Sequence, residues 1–284
     1  MAKRPGPSVR RRQLGAMLRQ LRKDAGKERD DAAEWLEISQ QTLSKIEIGR
    51  QTIKAPHVRL LCQLYDVDAG TLDNLLRLAK EANQRGWWVA YRDTVPESFR
   101  RFVGHEADAA AIWDYQAEYV PGLLQTPAYV AAITRASRPN ASDAEVNRSV
   151  SLRRERQERL DEGEPPQLRF YLNEAVIRRT VGGAEVMREQ LEHLVAAGTA
   201  DHIELRIVPF SAGAHAAMSA SFIMMRFPDE PEPAFAYVEN DRGAVYQEDP
   251  GDIDRYNLIL SELDRVALSH VSSRSMIESA AESL

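Results

Sequence analysis

The chain has 284 residues, a length that predicts about two domains with room for a core in each. Its 37 Lys+Arg against 43 Asp+Glu leave a formal net charge of −6, and no apolar run approaches the ~20 residues a membrane-crossing helix needs. A single cysteine, Cys62, excludes an internal disulfide framework, and the basic start lacks the apolar stretch of a secretion signal. A soluble, cytoplasmic protein with no membrane partner is expected.

Residues 1–9 read as a basic flexible arm, and Lys3, Arg4, Arg10, Arg11 and Arg12 are expected to precede the first helix, either solvated or touching phosphate. Leu14, Met17, Leu18 and Leu21 then fall at helical spacing, with Gly26 as a stop. Ala32, Ala33 and Leu36 predict a short second helix, followed by a tight turn at Glu37-Ile38. Ser39 can cap a third helix, which Leu43 and Ile46 anchor and Gly49 ends. Two further apolar stripes follow, Val58, Leu61, Cys62 and Tyr65, then Leu72, Leu75, Leu76 and Ala79. Cys62 sits on such a stripe and reads as a buried structural thiol. Residues 10–85 are thus expected to form an all-α domain of five helices with a helix-turn-helix at its centre.

The third helix presents Gln40, Gln41, Thr42 and Ser44 near its N-terminus, short hydrogen-bonding side chains of the kind that reach base edges in the DNA major groove. These four are the expected base contacts. Arg29, Ser39, Lys45, Arg50 and Lys54 are the expected phosphate contacts, which set register. Charge agrees. Residues 1–85 hold 17 Lys+Arg and 11 Asp+Glu, a balance of +6, leaving 20 against 32, or −12, for the other 199 residues. A basic head on an acidic body suits a double-stranded DNA partner.

The stretch Leu43-Ser44-Lys45-Ile46-Glu47-Ile48-Gly49-Arg50, with Leu18-Arg19-Gln20-Leu21-Arg22, resembles the Cro/cI-type (XRE) DNA-binding domain. The resemblance implies an ion pair between Arg22 and Glu47 that ties the first helix to the third. Two positions depart from that pattern. Glu28-Arg29 stand where the family often has Thr-Gln, and Glu37 replaces the turn glycine, which demands an unusual backbone angle or a shifted turn.

Residues 86–284 are expected to form the second domain. Trp87, Trp88 and Tyr91 would pack into it; the alternative is a ligand pocket lined by Trp87, Trp88, Trp113 and Tyr119. Residues 97–117 read as helical. Pro121-Gly122 marks a turn, and Thr126-Pro127 opens a helix to about 136. A further helix spans 143–160, where Arg154 with Glu158 and Glu155 with Arg159 predict a solvated, self-paired face. Beyond Pro165 the period shortens, with strands expected at 167–172, 202–208, 221–227, 234–238 and 244–247 and a helix at 183–197. A closing helix is expected from 252 to 270, with a partly helical tail. The body therefore reads as α+β with a small mixed or antiparallel sheet.

Tyr119 to Tyr129, Leu152 to Gln157, Asn173 to Gly183, and Leu205 to Pro209 with Gly213 are similar to landmarks of the actinomycete XRE regulators, WhiJ-like or antitoxin-like, that share a C-terminal domain of unknown function. That resemblance implies a transcriptional regulator, often paired with a small companion protein, and brings no catalytic residues. An enzyme is not expected. No zinc, phosphate-loop or nucleophile-elbow motif occurs, the six histidines are scattered, and His215 stands alone in a small-residue loop. Neither a metal nor another cofactor is expected. A homodimer is, because one head reads few base pairs, and the body is the expected dimerisation element. The alternatives are a regulator that responds to a small molecule and an interaction module whose head no longer reads DNA.

Overall fold

The computed structural model describes residues 7–49, 51–83, 97–160, 165–227, 234–240 and 242–284. They fall into two compact units, one on each side of 84–96. The expected boundary at Arg85-Gly86, and Trp87, Trp88 and Tyr91 after it, lie outside the described residues.

The first unit is all-α, with α1 (Pro7–Asp24), α2 (Arg29–Trp35), α3 (Gln40–Glu47), α4 (Ala55–Leu64) and α5 (Ala69–Ala82). The apolar stripes meet in one core in which Leu14, Leu18, Leu43, Val58, Leu61 and Leu75 are almost wholly buried. Cys62 is buried there, and desolvation pushes its thiol up. One expectation is corrected: α1 begins at Pro7, so Arg10, Arg11 and Arg12 belong to its first turns rather than to an arm.

The second unit is α+β, built on a six-stranded mixed sheet of order β3-β2-β1-β4-β5-β6. Its strands are β1 (Ala111–Gln116), β2 (Gln167–Asn173), β3 (Ile203–Val208), β4 (Phe222–Arg226), β5 (Ala234–Asn240) and β6 (Gly243–Gln247). β1, β2 and β3 run parallel, joined by crossovers containing α7 (Pro127–Ser137) and α8 (Asp143–Leu160), then α9 (Glu174–Arg178) and α10 (Ala184–Ala197). β4, β5 and β6 extend the other side antiparallel. One sheet face, with Tyr115, Tyr171, Phe222 and Met224, packs on Ile259, Leu260 and Leu263 of α11 (Pro250–Val266). The opposite face meets α6 (Glu97–Glu106), where Phe102 packs against Tyr237 with ring centroids 4.5 Å apart and planes tilted by 41°.

Two element assignments change. Residues 97–117 are not one helix: α6 ends at Glu106 and β1 follows. The two-residue period of β1 is masked because both faces of the strand are covered, with Ile112 and Asp114 buried on one and Tyr115 on the other. The closing helix is also two. α11 stops at Val266, Ala267 turns extended, and Ser269 caps α12 (His270–Glu282). The break serves the edge strand β3, since Leu268 N–H donates to Ile207 O at 2.8 Å and Ile207 N–H donates to buried Ser273 Oγ at 2.9 Å. The end of the sheet is thereby capped by the chain's own C-terminal helix.

Candidate DNA-reading face and body site

Helix α3 is set by its ends and by one buried edge. Thr42 N–H donates to Ser39 Oγ at 3.1 Å, the cap expected from sequence, and the Ser39 and Thr42 hydroxyls also meet at 2.9 Å. Leu43, Ile46 and Glu47 face the core. Gln40, Gln41 and Lys45 are exposed and Ser44 is half-buried, so the outward face carries two amides, a hydroxyl and a cation. Thr42 is half-buried and its hydroxyl is engaged in the cap.

Three devices hold this helix in place. Arg22 grips Glu47 through Nε at 2.6 Å and Nη2 at 3.1 Å, and also donates to Lys27 O, so the ion pair implied by the resemblance is present and nearly solvent-free. The Glu47 carboxylate in turn raises the Arg22 guanidinium. Close approach comes next. A Cβ on Gly15 of α1 would run into the Ile46 and Glu47 carbonyl oxygens, and one on Gly49 would lie 2.7 Å from Arg12 Cα. Gly15 is not distinguished in the sequence, because a glycine inside a helical stripe gives no sign of the backbone that passes it. Finally, Glu37 accommodates the turn without glycine by taking φ 55°, in the left-handed region.

Of the expected phosphate contacts, Ser39 and Lys45 flank the exposed amides and Lys54 stands exposed at the N-cap of α4. Arg29 lies with Nε 3.6 Å from Glu47 Oε2 and its side chain 42% exposed, so it shares the Glu47 carboxylate with Arg22 while keeping a solvent-facing side. Arg50, Lys3 and Arg4 lie outside the described residues.

The structure does not bring the remaining two aromatic pocket residues together. Trp113 packs with the α11 face of the sheet and has the Arg226 guanidinium 4.8 Å from its ring centroid. Tyr119 belongs instead with the opposite-face groups, within electrostatic reach of Asp114, Arg153 and Glu239. The α8 arginines also depart from expectation. Arg154 pairs with Glu158 in solvent at 2.7 Å as predicted, but Arg156 is buried and locked to Glu106 of α6 at 2.7 and 2.5 Å. Arg159, the other member of the second expected pair, has a side chain outside the described residues. The solvated-face reading fails for Arg156 because its partner lies fifty residues away in sequence.

The run Tyr119–Tyr129 forms a tightly bound turn. Gln157 of α8 donates to the carbonyls of Leu123 and Gln125 at 3.1 and 2.9 Å, while Gln190 of α10 donates to Leu124 O and accepts from Thr126 N–H. Val120 N–H closes on Tyr129 Oη at 3.1 Å. Among the described residues no group of three His, Cys, Asp or Glu side chains could hold a metal ion, and no helix is long and apolar enough to cross a membrane. His215 rests against Tyr115, ring centroids 5.8 Å apart, and its Nδ1 accepts from Ala217 N–H.

Comparison with known families gives two matches. Residues 13–75 match a helix-turn-helix domain, and residues 99–279 match the domain of unknown function DUF5753. No curated protein matches the chain. Because the second match spans more than half of the sequence, the chain belongs to the DUF5753 family, with a helix-turn-helix domain ahead of the family domain.

Proposed function

We propose that this protein is a sequence-specific regulator of transcription that binds double-stranded DNA through α3. The observation that carries the reading is the pairing of a rigidly anchored helix with exposed Gln40, Gln41 and Lys45 and half-buried Ser44 at its outward face. Gln40, Gln41 and Ser44 read bases, and Thr42 contributes through its cap position. Ser39, Lys45, Lys54, Arg50 and the exposed side of Arg29 take phosphates. The XRE and WhiJ-like resemblance supports a regulator of that subgroup working in the cytoplasm, paired with a small companion protein. In this reading residues 10–85 are the DNA-binding domain and 86–284 the regulatory one. The acidic body joins two chains, so that two heads meet half-sites about 34 Å apart.

Genome-fragment pulldown with sequencing tests this at near-physiological salt, using full-length protein beside a Gln40→Ala/Gln41→Ala variant. A shared near-palindromic motif that the variant loses is the expected result. No enrichment, or enrichment the variant retains, would count against the reading and favour a body that acts through protein contacts alone.

A further inference from the structure

Beneath the Tyr119–Tyr129 turn, on the sheet face covered by α6 and α8, lies a set of ionisable groups that DNA reading does not use. Arg156 and Glu106 satisfy each other there in a bidentate pair. Arg153, one turn earlier on α8, has no such partner: among the described residues no carboxylate lies within ion-pair distance of it and no acceptor receives a hydrogen bond from it. Its guanidinium lies where a Cβ of Gly122 would be, so the missing side chain lets it reach past the turn. Asp114 is 2% exposed, and Gln116 Nε2 donates to its Oδ1 at 2.7 Å. Gln116 Oε1 is buried with no hydrogen-bond partner among the described residues. Whichever way that amide is turned, one end of it is left over. Tyr119 is 39% exposed beside these groups and marks the solvent side.

We infer that Arg153, with Asp114, Gln116 and the Tyr119–Gly122 turn, forms a binding site for a small molecule bearing an oxyanion, either carboxylate or phosphate. Arg153 is half-buried with no carboxylate in ion-pair range among the described residues, and its planar fork of donors matches both oxyanions. Burial pushes Asp114 up to about 7 and also raises Glu239, while desolvation and neighbouring Arg156 bring Arg153 down to about 9. In its protonated form Asp114, with the spare end of Gln116, can hold the rest of the ligand. This inference concerns the body alone and stands or falls independently of DNA reading.

The test titrates full-length protein with sodium phosphate and, separately, sodium acetate, against sodium chloride at equal ionic strength, and follows thermal melting. A saturable rise of roughly 5–10 °C at a hundredfold excess over Kd is expected, and Arg153→Gln should abolish it. A response to phosphate alone assigns a phosphate-bearing ligand, and one to acetate a carboxylate. No rise with either anion, or an equal rise in the variant, overturns the site. Should the variant fail to fold, phenylglyoxal labelling of the wild-type protein decides, with Arg153 read by peptide mass spectrometry. Slower labelling in the anion supports the site, and an unchanged rate overturns it.

Discussion

Replacing Asp114 by asparagine removes one titration from the core while preserving the shape of the side chain and an oxygen to accept from Gln116. In the folded chain the carboxyl is raised from 3.8 to about 7, chiefly by desolvation. An acid whose pKa rises on folding keeps a proton that the unfolded chain has released, so stability is lost as pH climbs from the unfolded value towards the folded one. The penalty is about 1 kcal/mol near pH 4.5 and about 4 kcal/mol near pH 7.5, a loss of about 3 kcal/mol across the interval. The Asp114→Asn variant carries no such penalty. Urea unfolding of both proteins at the two pH values should therefore show the variant ahead by about 1 kcal/mol in acid and by about 4 kcal/mol at the higher pH. With m of about 2 kcal/mol/M, the midpoint difference near pH 7.5 is about 2 M. A variant less stable than wild type there would refute the reasoning, for it would mean that Asp114 is ionised in the fold and held by Arg153 and Arg156. A difference indifferent to pH would do the same.

Three further outcomes are expected. Glu47→Ala leaves Arg22 buried without a counter-charge and should cost the head about 3–5 kcal/mol by calorimetry, whereas Arg22→Met/Glu47→Met should recover much of it. A double variant as unstable as the single would show that pairing is not the cause. Glu37→Gly relieves a left-handed backbone and should raise head stability by roughly 0.5–1 kcal/mol, with Glu37→Val moving the other way in the same melts. Gln41→Ala should weaken binding by about 1–3 kcal/mol at one base pair of the enriched operator, measured by competition with single-base variants. An unchanged sequence preference would remove Gln41 from the reading face.

The head is more legible in sequence than the body, for a physical reason. In α1 to α5 each helix has one wet and one dry side, so the spacing of Leu14, Leu18, Leu43 and Leu61 exposes both element and core. Ser39 is visible because a cap is satisfied within three residues. β1 is hidden because covering helices on both faces leave no polar alternation to read. α12 gives a weak signal because its buried side includes Ser273, Ala280 and Ala281, small residues suited to close packing. Arg156 misleads because its neighbours on α8 offer local carboxylates, while Glu106 across the fold takes it. Trp113 and Tyr119 part because Trp113 packs on the α11 face of β1, while Tyr119 follows the end of that strand near Asp114 and Arg153.

By itself the sequence determined the helix-turn-helix, the exposed amides of α3, the opposite charges of the two halves and the order of nearly all strands. Each depends on interactions within a few residues, through periodicity, capping or composition. Only the tertiary structure decided that Gly15 lets α1 cross α3, that α12 closes the β3 edge, and that Arg153 stands near a buried Asp114 with no ion-pair partner among the described residues. Those depend on which surfaces meet once distant segments pack, and a side chain's partner across a sheet or between helices leaves no mark in its own neighbourhood of the chain.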